Sequence, residues 1–321
     1  MGIHQCTEIS LQHKTAELSV QRELEVSTKN RLLTYYEYSK PKIWYLLVFT
    51  SLTATFVADS LLSTNLSIIK WITAAVAITS GCAGCNALTN YVDRDIDAAM
   101  NRTRHRPLPS GRITPGSGLR FGLVLVAISI LLSFTLNLLS VLWMTLGVLD
   151  NVGVYSLLLK RRSTLNILLG GFSGGLPVLF GWSAATTGLT GSISLLPILM
   201  AGLIFLWIPI HIWFLAVTYR SDYAKVGVPM LPVVIGSVPA IRLIVIFSMI
   251  LFPFSIGVYL LGHFGLVYGL VALVGGLVNL IGSVWVLYKP TESNAWKMFK
   301  ISSPYLFLLF LAMILDVAVR A

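Results

Sequence analysis

Asn86-Ala87-Leu88-Thr89-Asn90-Tyr91-Val92-Asp93-Arg94-Asp95-Ile96-Asp97 closes a run that is almost wholly apolar or small from residue 71 onward. About 20 such residues cross the roughly 30 Å of hydrocarbon in a bilayer. The run therefore reads as a membrane helix that ends in three carboxylates within five positions. Only 13 acids exist in 321 residues, so this concentration at one boundary carries information. On a continuing helix Asp93 and Asp97 share a face, and Asn86 and Asn90 lie on the same side. Two like charges at that spacing repel, and a divalent cation with oxygen ligands would relieve them. Mg²⁺ usually takes one or two carboxylates, with waters and phosphate oxygens completing its shell.

Outward from this stretch the composition agrees. The chain is 56% hydrophobic and 11% charged, whereas a soluble domain carries roughly a quarter charged residues. Soluble, disordered and disulfide-built classes are excluded, and an all-α polytopic membrane protein is expected. Runs long enough to span fall at 43–63, 71–92, 118–138, 141–159, 166–187, 194–217, 243–262, 264–288 and 301–320. With these spans every Lys and Arg except Lys70 and Arg320 falls on one side. The positive-inside rule makes that side cytoplasmic, with the N-terminus inside and the C-terminus outside. The net charge of +10 thus reports topology and needs no nucleic acid.

Residues 1–40 read as a polar cytoplasmic segment and 41–321 as the membrane domain. The leader lacks an apolar core for a signal peptide, and its acids argue against a transit peptide. Cys6 stands where a myristoylation site wants Ser or Thr.

Past the acidic stretch, Met100-Asn101-Arg102-Thr103-Arg104-His105-Arg106 is a cluster of cations. Arginine is suited to bidentate phosphate contacts. Carboxylates beside arginines at one interface point to a site for a metal-bound diphosphate, the competing reading being an ordinary charged loop. The sixth run ends in His211-Ile212-Trp213 and continues to Tyr219-Arg220-Ser221-Asp222-Tyr223-Ala224-Lys225 on the same side, as does Lys160-Arg161-Arg162. An ionisable residue inside a span is a functional candidate, and His211 is equally readable as a hydrogen-bonded packing residue. Asp150, mid-span, must face the bundle interior, for a bond between helices or for chemistry. Cys82 and Cys85, between Gly81 and Gly84, read as small residues for close helix packing rather than a redox pair. Gly170-Gly171 through Gly174-Gly175 fits close packing or room for a bulky ligand.

Taken together these motifs resemble a known family. Asn90-Tyr91-Val92-Asp93-Arg94-Asp95-Ile96-Asp97, with Arg102-Thr103 and Arg106-Pro107-Leu108, is similar to the first motif of UbiA-type intramembrane prenyltransferases. Lys160-Arg161-Arg162-Ser163-Thr164, Gly170 through Trp182, and His211 through Pro232 resemble more narrowly the haem O synthase branch. The resemblance covers about residues 33–320. It implies a nine-helix bundle that transfers farnesyl from farnesyl diphosphate to a vinyl group of haem b (protohaem IX), giving haem O and diphosphate, with Mg²⁺ as cofactor.

Carried over by position, the metal-binding and catalytic acids are Asp93 and Asp97, joined by Asp222. The diphosphate contacts are Asn90, Arg102, Arg106, Lys160, Arg220 and Lys225. His211, Trp213, Tyr219 and Tyr223 are candidates for the haem or prenyl pocket. The family's Asn four residues before the first Asp is Thr89 here, so support of the metal passes to Asn90 or Asn86. Asp222 stands alone where the wider family often has two acids. Two other functions remain open: a UbiA-type enzyme acting on a quinone precursor or lipid, and an ion-coupled transporter using Asp93, Asp150 and Asp222. Against the transporter, two of those acids lie at a membrane face rather than at the midplane.

Overall fold

The structure is a computed structural model that describes residues 30–186 and 194–320. Most of the polar leader, with Cys6, and the last residue of the expected fifth span lie outside that range. Among the described residues nine helices are long and apolar enough to cross a membrane. They are span 1 (Pro41–Leu62), span 2 (Ile68–Val92), span 3 (Pro115–Phe134), span 4 (Leu138–Leu159), span 5 (Asn166–Ala185), span 6 (Leu195–Thr218), span 7 (Ser237–Leu261), span 8 (Leu266–Tyr288) and span 9 (Glu292–Ala318). Spans 7 and 9 begin six and nine residues before the apolar runs that announced them. Their first turns carry Arg242, Lys297 and Lys300, which an apolar-run reading discards although a helix accommodates them.

Between helices that all meet lipid, burial of apolar surface gives little drive for association, so close packing must supply it. Small residues do this. A Cβ on Gly84 of span 2 would sit 3.0 Å from the Val126 backbone nitrogen and 3.1 Å from the Gly122 carbonyl of span 3. Gly181 of span 5 lies tighter still on span 1, where a Cβ would come within 1.9 Å of the Ser51 carbonyl oxygen. Thr55 Oγ1 donates to the Gly181 carbonyl at 2.9 Å across that contact. The glycine-rich stretch of span 5 is therefore a packing surface, and Gly81 and Gly84 play the same part around buried Cys82 and Cys85.

Two irregularities matter for the site. Span 4 is α-helical to Val148 and then π-helical over Leu149–Leu159. Span 5 breaks at Gly171, between Asn166–Gly170 and Phe172–Ala185. A restarting helix leaves backbone N–H groups without partners, and Asp150 Oδ2 accepts one of them, from Ser173, at 2.7 Å. Asp150 is thus a bond between spans 4 and 5, one of its two expected roles.

The ends of the bundle separate cleanly. One end gathers the short helix over 30–38, the loop after span 2, the turn after span 4, the segment after span 6 and the start of span 9. Contacts among them include Arg112 with Glu37, Lys160 with Asp93, and Thr218 Oγ1 with the Glu292 carbonyl. At the other end Trp71 Nε1 donates to Asp59, and the Tyr268 backbone N–H donates to Asp316. The alternation expected from the charges is the alternation found.

Candidate active site

Span 2 stops at Val92. Asp93 turns out of the helix with φ −90° and ψ 8°, and a short helix Arg94–Ala99 resumes at once. The Asp97 N–H still donates to the Asp93 carbonyl at 2.8 Å, so the four-residue register survives the bend. Both carboxylates are buried, with residue exposures of 1% for Asp93 and 4% for Asp97. A buried charge must be paired, and each acid has its own cation. Lys160 Nζ, from the turn after span 4, donates to Asp93 Oδ2. Arg106 Nη1, from the loop after span 2, donates to Asp97 Oδ2 at 2.7 Å. That loop is held in place by Thr103, whose hydroxyl donates to the Asp97 carbonyl at 2.9 Å. The repulsion expected between the acids is thus already partly met by protein cations.

Asp95, two residues from each of the other acids, points elsewhere. Arg161 grips it with both terminal nitrogens, at 2.7 and 2.6 Å, and also donates to the Val92 carbonyl. Those hydrogen bonds hold the carboxyl at about 2, below the usual aspartate range. Asp95 therefore ties the turn after span 4 to the end of span 2 and aligns Lys160 with Asp93.

Two acceptors at the centre have no partner among the described residues: Asp93 Oδ1 and Asn90 Oδ1, both buried. The Asn90 amide nitrogen instead donates at 2.6 Å to the Tyr38 carbonyl in the N-terminal segment. Such orphaned oxygens are costly unless a ligand meets them. The described residues hold no cluster of three metal-ligating side chains. A metal that takes two carboxylates and completes its shell with water and substrate oxygens fits this donor set.

Other expected residues converge here. The Arg102 guanidinium lies 5.1 Å from the Tyr219 ring centroid, joining the loop after span 2 to the end of span 6. Tyr223 is buried and lies within electrostatic reach of Lys160. Arg220 and Lys225 lie exposed on the helix Arg220–Lys225 and Asp222 is half-buried there; none of the three forms an ion pair within the described residues.

His211 lies deeper, in a row of rings. It stacks between Trp207 at 4.4 Å and Phe299 at 4.2 Å, and Phe299 stacks on Trp296, which meets Tyr219 edge-on. Its Nδ1 is 2.7 Å from the Ser302 hydroxyl. Trp213 lies off that row and packs edge-on against Phe247 of span 7.

Sequence reasoning missed two residues. Tyr155 stands five before Lys160, a spacing that separates them on an α-helix, but the π-helical bonding stacks them, with Lys160 Nζ 5.5 Å from the Tyr155 ring. The Lys160 N–H bonds back to the Tyr155 carbonyl at 2.8 Å. Lys40 enters the sequence reading only through the charge count of the cytoplasmic side. Its ammonium interacts electrostatically with Arg106, Asp97, Lys160 and Asp93, and enclosure first, then Arg106, draws it down to about 7. A lysine just before the proline that opens span 1 was the available signal.

Beneath Asn90 a cavity of about 80 Å³ lies between spans 1, 2, 4 and 5. Cys82, Cys85, Asn86, Trp143, Asn151 and Phe180 are among its lining residues.

Residues 42–313 match the UbiA prenyltransferase family. Protoheme IX farnesyltransferase 2 of Cenarchaeum symbiosum (strain A) is 42% identical over 316 residues, covering 94% of this chain and all of that one. Protoheme IX farnesyltransferase of Desulforudis audaxviator (strain MP104C) is 47% identical over 289 residues, 89% of each chain. Among solved structures, a digeranylgeranylglyceryl phosphate synthase superposes with a TM-score of 0.73 at 19% identity, covering 90% of this chain and 99% of that one. A UbiA homolog from Archaeoglobus fulgidus bound to GPP and Mg²⁺ gives 0.64 at 15% identity, covering 87% and 99%. With a family match over most of its length, relatives above 40% identity and a fold shared with solved UbiA structures, this chain belongs to the UbiA prenyltransferase family.

Proposed function

We propose that this chain transfers the farnesyl group of farnesyl diphosphate to a vinyl group of haem b, forming haem O and diphosphate, at a site facing the cytoplasm of a cell membrane. The observation that carries the chemistry is the pair of buried carboxylates with two orphaned oxygens, ringed by Lys160, Arg106 and Arg102. The acceptor is supported by several relatives, each 38–47% identical over about nine-tenths of the chain and each named protoheme IX farnesyltransferase. The residue-by-residue roles stay as the sequence suggested them, with Asp93 and Asp97 holding Mg²⁺, Asp222 as a third catalytic acid, and Arg220 and Lys225 as diphosphate contacts.

Bound Mg²⁺ would supply positive charge against the diphosphate oxygens. Lys160, Arg106 and Arg102 stabilise the negative charge that grows on the leaving group, the interaction that usually dominates such catalysis. As the C1–O bond breaks, its electron pair leaves with diphosphate and an allylic cation remains. The vinyl electron pair forms the new C–C bond, and water adds to the carbon left cationic, releasing a proton. The surrounding helices keep bulk water from quenching the first cation. Tyr219 and Tyr223 border this region with their rings, a fitting surface for a cation. The row from Tyr219 to Trp207 supports a flat aromatic acceptor lying inward of the diphosphate.

Membranes containing the chain, given farnesyl diphosphate and haem b, should yield haem heavier by a farnesyl group and a hydroxyl. Asp97→Asn should remain in the membrane at normal abundance and lose about 100-fold or more in rate. Unmodified haem together with a prenylated quinone precursor would move the chain to the other branch of its family.

A further inference from the structure

Lys40 is the residue between the helix over 30–38 and span 1, and its backbone is left-handed, with φ 55° and ψ 61°. Left-handed residues commonly terminate helices, but glycine or asparagine is usual there because a Cβ is crowded in that conformation. The next residue is Pro41, which adds its own restriction on the residue before it. Glycine would take this position with less strain, yet the chain has a long cationic side chain. Strain of this kind persists only where the surroundings over-determine it.

They do so here. On one side of Lys40, Tyr38 is locked: its hydroxyl donates to the Ala87 carbonyl at 2.8 Å, and its own carbonyl accepts from Asn90 at 2.6 Å. Ser39 accepts from Trp44 Nε1 at 3.1 Å. On the other side, the Ile43 N–H donates to the Lys40 carbonyl at 2.9 Å as span 1 begins. The locking partners Ala87 and Asn90 belong to the last turns of span 2, directly ahead of Asp93. This scaffold therefore anchors the Lys40 backbone to the last turns of span 2, beside the acidic site.

Its charge is uncompensated. Asp93 is taken by Lys160 and Asp97 by Arg106, and Lys40 forms no ion pair within the described residues. Arg106 and Lys160 repel it, while Asp97 and Asp93, each already holding a cation, attract it. A half-buried third cation beside two already paired ones leaves a positive surplus, which a multiply charged anion offsets.

We infer that Lys40 is a diphosphate ligand of the prenyl donor, held in a left-handed backbone by the Asn90–Tyr38 anchor so that its ammonium meets phosphate oxygens beside Asp93 and Asp97. This rests on the functional reading above, and a test with inorganic pyrophosphate and Mg²⁺ separates the two.

Calorimetry on the purified full chain in detergent should show Mg²⁺-dependent pyrophosphate binding. Lys40→Met should raise its Kd about 10- to 100-fold, the value of a charge-assisted hydrogen bond, and raise KM for farnesyl diphosphate alike. Lys40→Gly should lose affinity equally while its melting midpoint rises by a few degrees, since glycine relieves the strain. Lys40→Arg should recover part of the affinity. Opposed loss of binding and gain of stability at one position is something a purely structural lysine does not give. If Lys40→Met binds pyrophosphate as tightly as the parent, the inference fails and the proposed reaction stands. If the parent itself binds no Mg²⁺-pyrophosphate, the reaction and the inference fall together.

Discussion

Asp93 and Lys160 form the most enclosed ion pair described, with side-chain exposures of 2% and 15%. Removing one partner of such a pair strands the other, at a cost of about 3–5 kcal/mol. Lys160→Met should therefore lower the melting temperature markedly, and Mg²⁺ should restore more of it in the variant than in the parent, because the cation takes over the stranded charge. Equal responses to Mg²⁺ in the two proteins would argue that no cation reaches Asp93. Asp95 behaves differently. Its folded pKa of about 2 lies below the unfolded value of about 3.9. The contribution of its pairing is therefore complete above that unfolded value and lost only as pH falls through about 2. Asp95→Asn should leave the shape of the activity profile between pH 5 and 8 unchanged, which a simple buffer series checks. At this scale the sequence was readable where spacing and charge topology sufficed: Asp93 and Asp97 keep their four-residue register, and Lys160 and Arg106 reach them from the same face. Lys40 and Tyr155 were hidden because a left-handed turn and a π-helical stretch bring them in, and neither leaves a periodicity to read.

Among elements, the π-helical half of span 4 has the widest effect. Bonding from i to i+5 stacks Tyr155 under Lys160, as four-residue spacing would on an α-helix. Gly170 of span 5 gives the Tyr155 ring its place, since a Cβ there would lie 2.6 Å from Tyr155 Cβ. Gly170→Ala should cost about 1–3 kcal/mol of stability and also reduce turnover by displacing the Lys160 support, both measurable on purified protein. Unchanged turnover would mean that Tyr155 does not position Lys160. The nine helices were legible from apolar runs. Their true starts were not, because the amphipathic first turns of spans 7 and 9 break the run without breaking the helix.

For the molecule as a whole, the charge asymmetry that set the expected topology is matched by contacts that put the same segments at one end. Single cysteines replacing Arg104 and Lys225 should react with a membrane-impermeant thiol reagent from one face only, and a cysteine replacing His263 from the opposite face, in a background without the native cysteines. Labelling of Arg104→Cys and Lys225→Cys from different faces would dismantle the site. The same arrangement has a consequence for synthesis. Asp93 leaves the ribosome 67 residues before its partner Lys160, and the Tyr219 and Tyr223 rings come later still. A nascent chain halted after the third helix thus presents an acid with no counter-ion at the lipid boundary. Only the turn after the fourth helix brings Lys160 to it, so that step, rather than the emergence of the acidic motif, completes the ion pair.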